Sequence, residues 1–287
     1  MATSRGEEAP PDDEVFALRG VTLRRQGREL LSDIDWTVRA GERWVVLGPN
    51  GAGKTTLVRI LSTYTRASDG AVRVLRGQIG RTNVHDLRRA IGYLSPSLAA
   101  MVPEELTPRQ IVNAAQAGAL LPWYLDQAAL SDDRTTEALA LVDMAEVDDR
   151  AFSTFSSGEQ LRIQVARSLV NQPQALLLDE PMASLDIGGR EAVRSALTRI
   201  AAGGIRAIVL VVHRIEDIPT GFTHGLLLRE GRIVATGPLE GVLRDEPLSA
   251  CFGVPLTVSR VGGRLTAELA GDDQPEGRSR SQSIASR

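Results

Sequence analysis

The chain is 287 residues long and carries 33 basic against 36 acidic side chains, a formal net charge of −3. That balance argues against a dedicated nucleic-acid binder, which needs a basic excess, and aromatics at 4% leave few platforms for stacking single strands. The longest strongly apolar run, Ala207 to Val212, is far short of the ~18 residues a transmembrane helix needs, and the single cysteine, Cys251, forms no intrachain disulfide.

Length suggests about two structural units, and 43% hydrophobic residues supply a sizeable core. One cysteine points to a reducing compartment. Residues 1–14 carry Glu7, Glu8, Asp12, Asp13 and Glu14 against Arg5. They are no signal peptide and are expected to form a disordered acidic tail. From residue 15 to about 270, short apolar runs alternate with amphipathic stretches, the pattern of an α/β domain with a mostly parallel sheet. Trp44-Val45-Val46-Leu47 predicts a strand, and Leu57, Ile60 and Leu61 fall on one face of a following helix. Between about residues 97 and 155 the signals are helical, as in Thr135 to Val142, which predicts an inserted helical subdomain. Ala175 to Leu178 and Ala207 to Val212 are apolar on both faces and predict buried strands. Gly225 to Gly237 predicts a hairpin turning at Glu230 and Gly231, and residues 271–287 predict a disordered polar tail. There is no internal repeat.

Gly48-Pro49-Asn50-Gly51-Ala52-Gly53-Lys54-Thr55 fits the phosphate-binding loop G-x-x-x-x-G-K-[ST], between a predicted strand and helix. The glycines let successive N–H groups turn towards phosphate oxygens, and the helix adds its positive end. Lys54 is placed to reach the β- and γ-phosphates, the Thr55 hydroxyl to bind Mg²⁺, and Thr56 to complete the nucleotide contacts. Chance matches are expected in on the order of one chain in a thousand. Lys54 is also the only lysine among the 33 basic residues. In a chain otherwise committed to arginine, it marks a place where a broad guanidinium would not fit.

The run ending in Asp179-Glu180 lies 125 residues after Lys54, with Asp179 aimed at Mg²⁺ and Glu180 at the attacking water. Phe155-Ser156-Ser157-Gly158-Glu159-Gln160 follows the helical insert, with Gly158 placed 21 residues before Asp179. Here the sequence resembles the ATP-binding cassette (ABC) ATPase family, whose signature is written LSGGQ. Phe155, Ser157 and Glu159 depart from that pattern, while Ser156 and Gly158 match it. Asp186, in Ala183-Ser184-Leu185-Asp186, resembles the family's dimer-interface aspartate. His213, 34 residues past Asp179, resembles its switch histidine. His85 and His224 fit no motif.

The resemblance covers about residues 15–245 and implies a P-loop NTPase core with an antiparallel β portion beside the parallel sheet. It implies ATP and Mg²⁺ as ligands, with Ser156, Ser157, Gly158 and Glu159 acting in trans on the nucleotide of a second cassette. The implied partners are a homodimer or paired cassette and a separate transmembrane permease, with no nucleic acid and no direct membrane insertion. The implied place is cytoplasmic, peripheral at the inner face of the cell membrane. Two positions depart from the family. Arg25 falls in the region where an aromatic normally stacks on adenine, a task a guanidinium plane can also perform. Pro96 aligns with the lid glutamine, flanked by Ser95 and Ser97, either of which is able to bind water. This serine-rich variant resembles cassettes associated with molybdenum or iron-complex transport. The rival readings are a soluble cassette with a regulatory role and a degenerate cassette that binds ATP without hydrolysing it.

Overall fold

The computed structural model describes residues 11–116, 131–147, 149–183 and 185–270. Most of the two expected tails, 1–10 and 271–287, and Ser184 therefore lie outside the described residues. Glu14, assigned to the first tail, instead opens a strand and is only 4% exposed.

Two long antiparallel strands begin the fold, β1 (Glu14–Arg25) and β2 (Arg28–Arg39). Gln26 and Gly27 join them with φ of 49° and 73°, the left-handed pair that a two-residue hairpin demands. The chain then crosses into β3 (Arg43–Leu47), buried along its whole length, and enters α1 (Lys54–Leu61). Strands β4 (Asp69–Val74) and β5 (Gly77–Gln78) return to complete a four-stranded sheet of order β2-β1-β4-β5.

After α2 (Val84–Arg89) and β6 (Ile91–Leu94) come the helices α3 (Pro96–Ala99), α4 (Pro108–Gln116) and α5 (Asp132–Ala140) of the insert, whose residues 117–130 and 148 lie outside the described residues, and α6 (Ser157–Leu169) follows it. The core resumes with β7 (Ala175–Asp179), α7 (Ile187–Ala201), β8 (Ala207–Val211), β9 (His224–Arg229) and β10 (Arg232–Pro238). The six-stranded sheet runs β10-β9-β3-β8-β7-β6, parallel except at the β10 edge.

Alternating residues of β3 feed two apolar cores. Trp44 and Val46 join Leu57, Ile60 and Leu61 of α1 and the antiparallel sheet, whereas Val45 and Leu47 join Ile163, Leu178, Leu197 and Leu210 on the helical side. The helical face expected of α1 is thus fully buried. Two short helices, α8 (Leu239–Val242) and α9 (Asp245–Phe252), precede a hairpin of β11 (Leu256–Val261) and β12 (Arg264–Leu269). The sequence reading assigns no element to that hairpin. Its signals are the Gly262-Gly263 turn and the alternation that packs Leu256, Val258, Leu265 and Ala267 on the core.

Arg43 shows how a buried arginine is tolerated. It is 7% exposed, burial pulls its pKa down, and its guanidinium donates to the carbonyls of Ile205 at 2.8 Å and Ala201 at 3.1 Å. Longer bonds reach the carbonyls of Glu42, Arg206 and Gly203. The fork ties β3 to the α7–β8 connection, so truncation leaves buried acceptors without donors. Arg43→Ala is expected to lower unfolding stability by about 3 kcal/mol, read from the urea midpoint. A loss below about 1 kcal/mol would mean that water replaces the fork.

Candidate active site

Strands β3, β8 and β7 end side by side, with Val46 opposite Val211 and Asp179 opposite the same residue. The carboxyl edge of such a parallel sheet is where ligands bind in open α/β folds. The loop after β3 begins with Gly48 at φ 153°, and a Cβ there would overlap the Leu228 carbonyl oxygen. Gly51 and Gly53 are also left-handed, at 77° and 104°. Pro49 accepts the Ala52 N–H at 3.2 Å, closing the turn, while Asn50 and Gly51 are exposed at its tip.

Lys54 opens α1 and is 4% exposed. Its ammonium donates to the Gly48 carbonyl at 2.8 Å and the Pro49 carbonyl at 3.2 Å, and lies 3.9 Å from the Glu180 carboxylate. Burial lowers its pKa, against the pull of Glu180 and Asp179. The Thr55 hydroxyl donates to Asp179 Oδ1 at 3.2 Å. Asp179 is 1% exposed, and burial pushes its carboxyl up to about 6 despite the Thr55 hydrogen bond. Thr56 is half-buried one residue further along α1.

Glu180 sits in left-handed backbone, φ 52°, a conformation that costs a non-glycine residue about 1–2 kcal/mol. Its N–H is held by the Val211 carbonyl at 3.2 Å, and its carboxylate meets His213 Nε2 at 2.6 Å. The backbone turn thus brings carboxylate and histidine together at the end of two neighbouring strands. Lys54, Thr55, Asp179, Glu180 and His213 form one continuous polar cluster.

Ser156 and Asp186 form a second group. Ser156 caps α6, where its hydroxyl accepts the Glu159 N–H at 3.4 Å and donates to the Glu159 carboxylate at 2.7 Å. That carboxylate also accepts the Ser156 N–H at 2.8 Å, and these bonds hold the Glu159 pKa down. Ser157 is exposed on the first turn of α6. Asp186 caps α7 through the Gly189 N–H at 2.7 Å. The two helix starts lie close together, since a Cβ on Gly158 would be in van der Waals contact with Gly189 Cα at 3.6 Å. Among the described residues, no hydrogen bond or ion pair joins this group to the phosphate loop.

The ABC transporter family model matches residues 31–183. The chain belongs to the ABC transporter family. The uncharacterized ABC transporter ATP-binding protein YlmA of Bacillus subtilis is 34% identical over 249 residues, covering 85% of this chain and 93% of that protein. The hemin import ATP-binding protein HmuV of Streptomyces coelicolor is 35% identical over 254 residues, 87% of each chain. In fold, the cassette is similar to cbiO1 of Clostridium perfringens, part of the transporter complex cbiONQ, with a TM-score of 0.70 at 22% identity over 83% of this chain and 94% of that one. This chain is an ATP-binding cassette, the ATPase subunit of an ABC transporter.

The two departures have plain positions in the cassette. Arg25 ends β1 opposite Arg28 and is exposed. Pro96 is the first residue of α3, and Ser95 caps that helix by accepting the Leu98 N–H at 3.3 Å. Leu94 pairs with Leu178 in parallel register, so Ser95 continues level with Asp179, and it is 1% exposed.

Proposed function

We propose that two copies of this ABC ATPase close head to tail around ATP and thereby drive a separate membrane permease that carries a metal chelate. The observation that carries the reading is the division of the site residues into two groups. The loop residues Gly48 to Thr56 cradle the phosphates, with Lys54 neutralising the β- and γ-oxygens. Ser156, Ser157, Gly158 and Glu159 of a second copy cover the γ-phosphate, and Asp186 lies on the shared interface. Arg25, at the tip of a hairpin whose second strand abuts Gly53, offers its guanidinium plane to adenine.

Thr55 and Asp179 fit Mg²⁺: a hydroxyl and a buried carboxylate stand 3.2 Å apart, and burial already penalises the charge on Asp179. Bound there, the ion supplies neutralisation of charge between the phosphates. Glu180 accepts a proton from the attacking water, and His213 orients that carboxylate and contacts the γ-phosphate. A site completed only by the second copy makes closure depend on ATP by linkage, and hydrolysis releases it.

No helix among the described residues is long and apolar enough to cross a membrane, and the proposed permease is a separate chain. The proposed place is the inner face of the cell membrane. The name of the HmuV relative, a hemin import protein, supports the metal-chelate class. The test is affinity capture of the Glu180→Gln variant with ATP from detergent-solubilised membranes of its host. A multi-span membrane protein is expected at near-equal amounts. An ATP-bound pair without it would favour the soluble regulatory cassette, a reading that the proline at the lid position supports.

A further inference from the structure

Three backbone contacts hold the phosphate loop from outside its own strand and helix. The Gly231 N–H, in the turn between β9 and β10, donates to the Ala52 carbonyl at 2.9 Å. The Leu228 carbonyl lies directly against Gly48, where it excludes a Cβ. Gly53 packs on β2, where a Cβ would come 2.8 Å from the Leu31 side chain and 3.0 Å from the Leu30 carbonyl. Two of these three contacts come from a single hairpin.

That hairpin is itself pinned from both sides. The Gly231 carbonyl accepts the Ser32 N–H of β2 at 2.9 Å. Gly231 has φ 75°, and a Cβ on it would sit 2.7 Å from the Leu30 carbonyl oxygen. On the other side, Arg229 Nη1 donates to the Ala250 carbonyl near the end of α9 at 2.6 Å. The buried Cys251 thiol approaches the Leu228 carbonyl at 3.5 Å. The turn therefore has little freedom to move away from the loop.

The direction of one peptide plane gives this contact a role. In a trans peptide the C=O and the next N–H point in opposite directions. By holding the Ala52 oxygen on the outside of the loop, the Gly231 amide turns the Gly53 N–H towards the inside. Inward N–H groups are what such a loop offers to phosphate oxygens. We infer that Gly231 is a positioning residue for the nucleotide, setting the Ala52–Gly53 peptide before ATP arrives. This rests on the reading of residues 48–55 as the nucleotide loop. By reciprocity, a diphosphate that requires the inward N–H must tighten the Gly231–Ala52 hydrogen bond.

The first test uses the unaltered chain and amide hydrogen exchange with and without saturating ADP and Mg²⁺. Exchange at Gly231 is expected to slow by about tenfold, while Val258 in the distal hairpin is unchanged. The second test is Gly231→Ala, checked for folding by circular dichroism and titrated with ADP. Its Kd is expected to rise by about tenfold in the folded protein, a readout that loss of stability alone does not move. Unchanged exchange at Gly231 in a chain that binds ADP would overturn the inference and leave the nucleotide loop standing. So would a folded variant whose Kd stays within about twofold. Failure of the unaltered chain to bind ADP would instead remove the loop assignment itself. If the variant does not fold, the exchange measurement decides alone.

Discussion

Glu180→Gln is expected to lower ATP turnover by about a thousandfold while ATP still binds. The substitution keeps the size of the side chain and its reach to His213, now 2.6 Å away, but removes the carboxylate proposed to accept a proton. A positioned general base contributes about 10²- to 10⁴-fold, so the loss falls in that range. The loop, Lys54 and the Thr55–Asp179 pair are untouched, so binding and closure persist. A phosphate-release assay reads the first effect, and light scattering with ATP reads the second as a shift from one copy to two. A variant that turned over at the normal rate would remove Glu180 from the chemistry.

Lys54→Arg is the second large expectation, and this chain makes it a demanding one because arginine serves at every other basic position. Lys54 is 4% exposed and satisfied by two carbonyls of a single tight loop. Arg43 shows what a buried guanidinium requires, namely acceptors spread over two separate segments. Forcing the broader group into the loop costs about 1–3 kcal/mol in overpacking. Misdirected charge-assisted hydrogen bonds add about 1.5–3 kcal/mol. The misdirected bonds alone, at about 3 kcal/mol, are about a hundredfold in affinity. Titration with a fluorescent ATP analogue should show that loss, and the denaturation midpoint should fall by the overpacking cost. Equal affinity in the variant would show that the loop has room for the fork.

The sequence made the parallel core legible because its strands are apolar on both faces and its glycines sit at fixed spacing. Val45, Leu178 and Leu210 need no partner but the core, so pattern alone locates them. The cluster of Lys54, Thr55, Asp179, Glu180 and His213 follows from motif order once β3, β7 and β8 are neighbours. The terminal hairpin carried usable signals in Gly262-Gly263 and its alternation. The bracing of Ala52 by Gly231 was of another kind. The turn itself is visible in the sequence, but its contact joins residues 179 positions apart through backbone atoms, which every residue type shares.

The solitary lysine has a practical consequence for chemistry performed on the protein. Apart from an α-amino group, Lys54 is the one primary amine in this chain. An amine-directed acylating reagent therefore has a single side chain to find, and it lies beneath the carbonyls of the phosphate loop. Label stoichiometry at that side chain becomes a count of loops open to reagent, obtained without a mutation, a tag or a coupled enzyme. Once any α-amino adduct is separated by peptide mapping, the remaining adduct carries its own address.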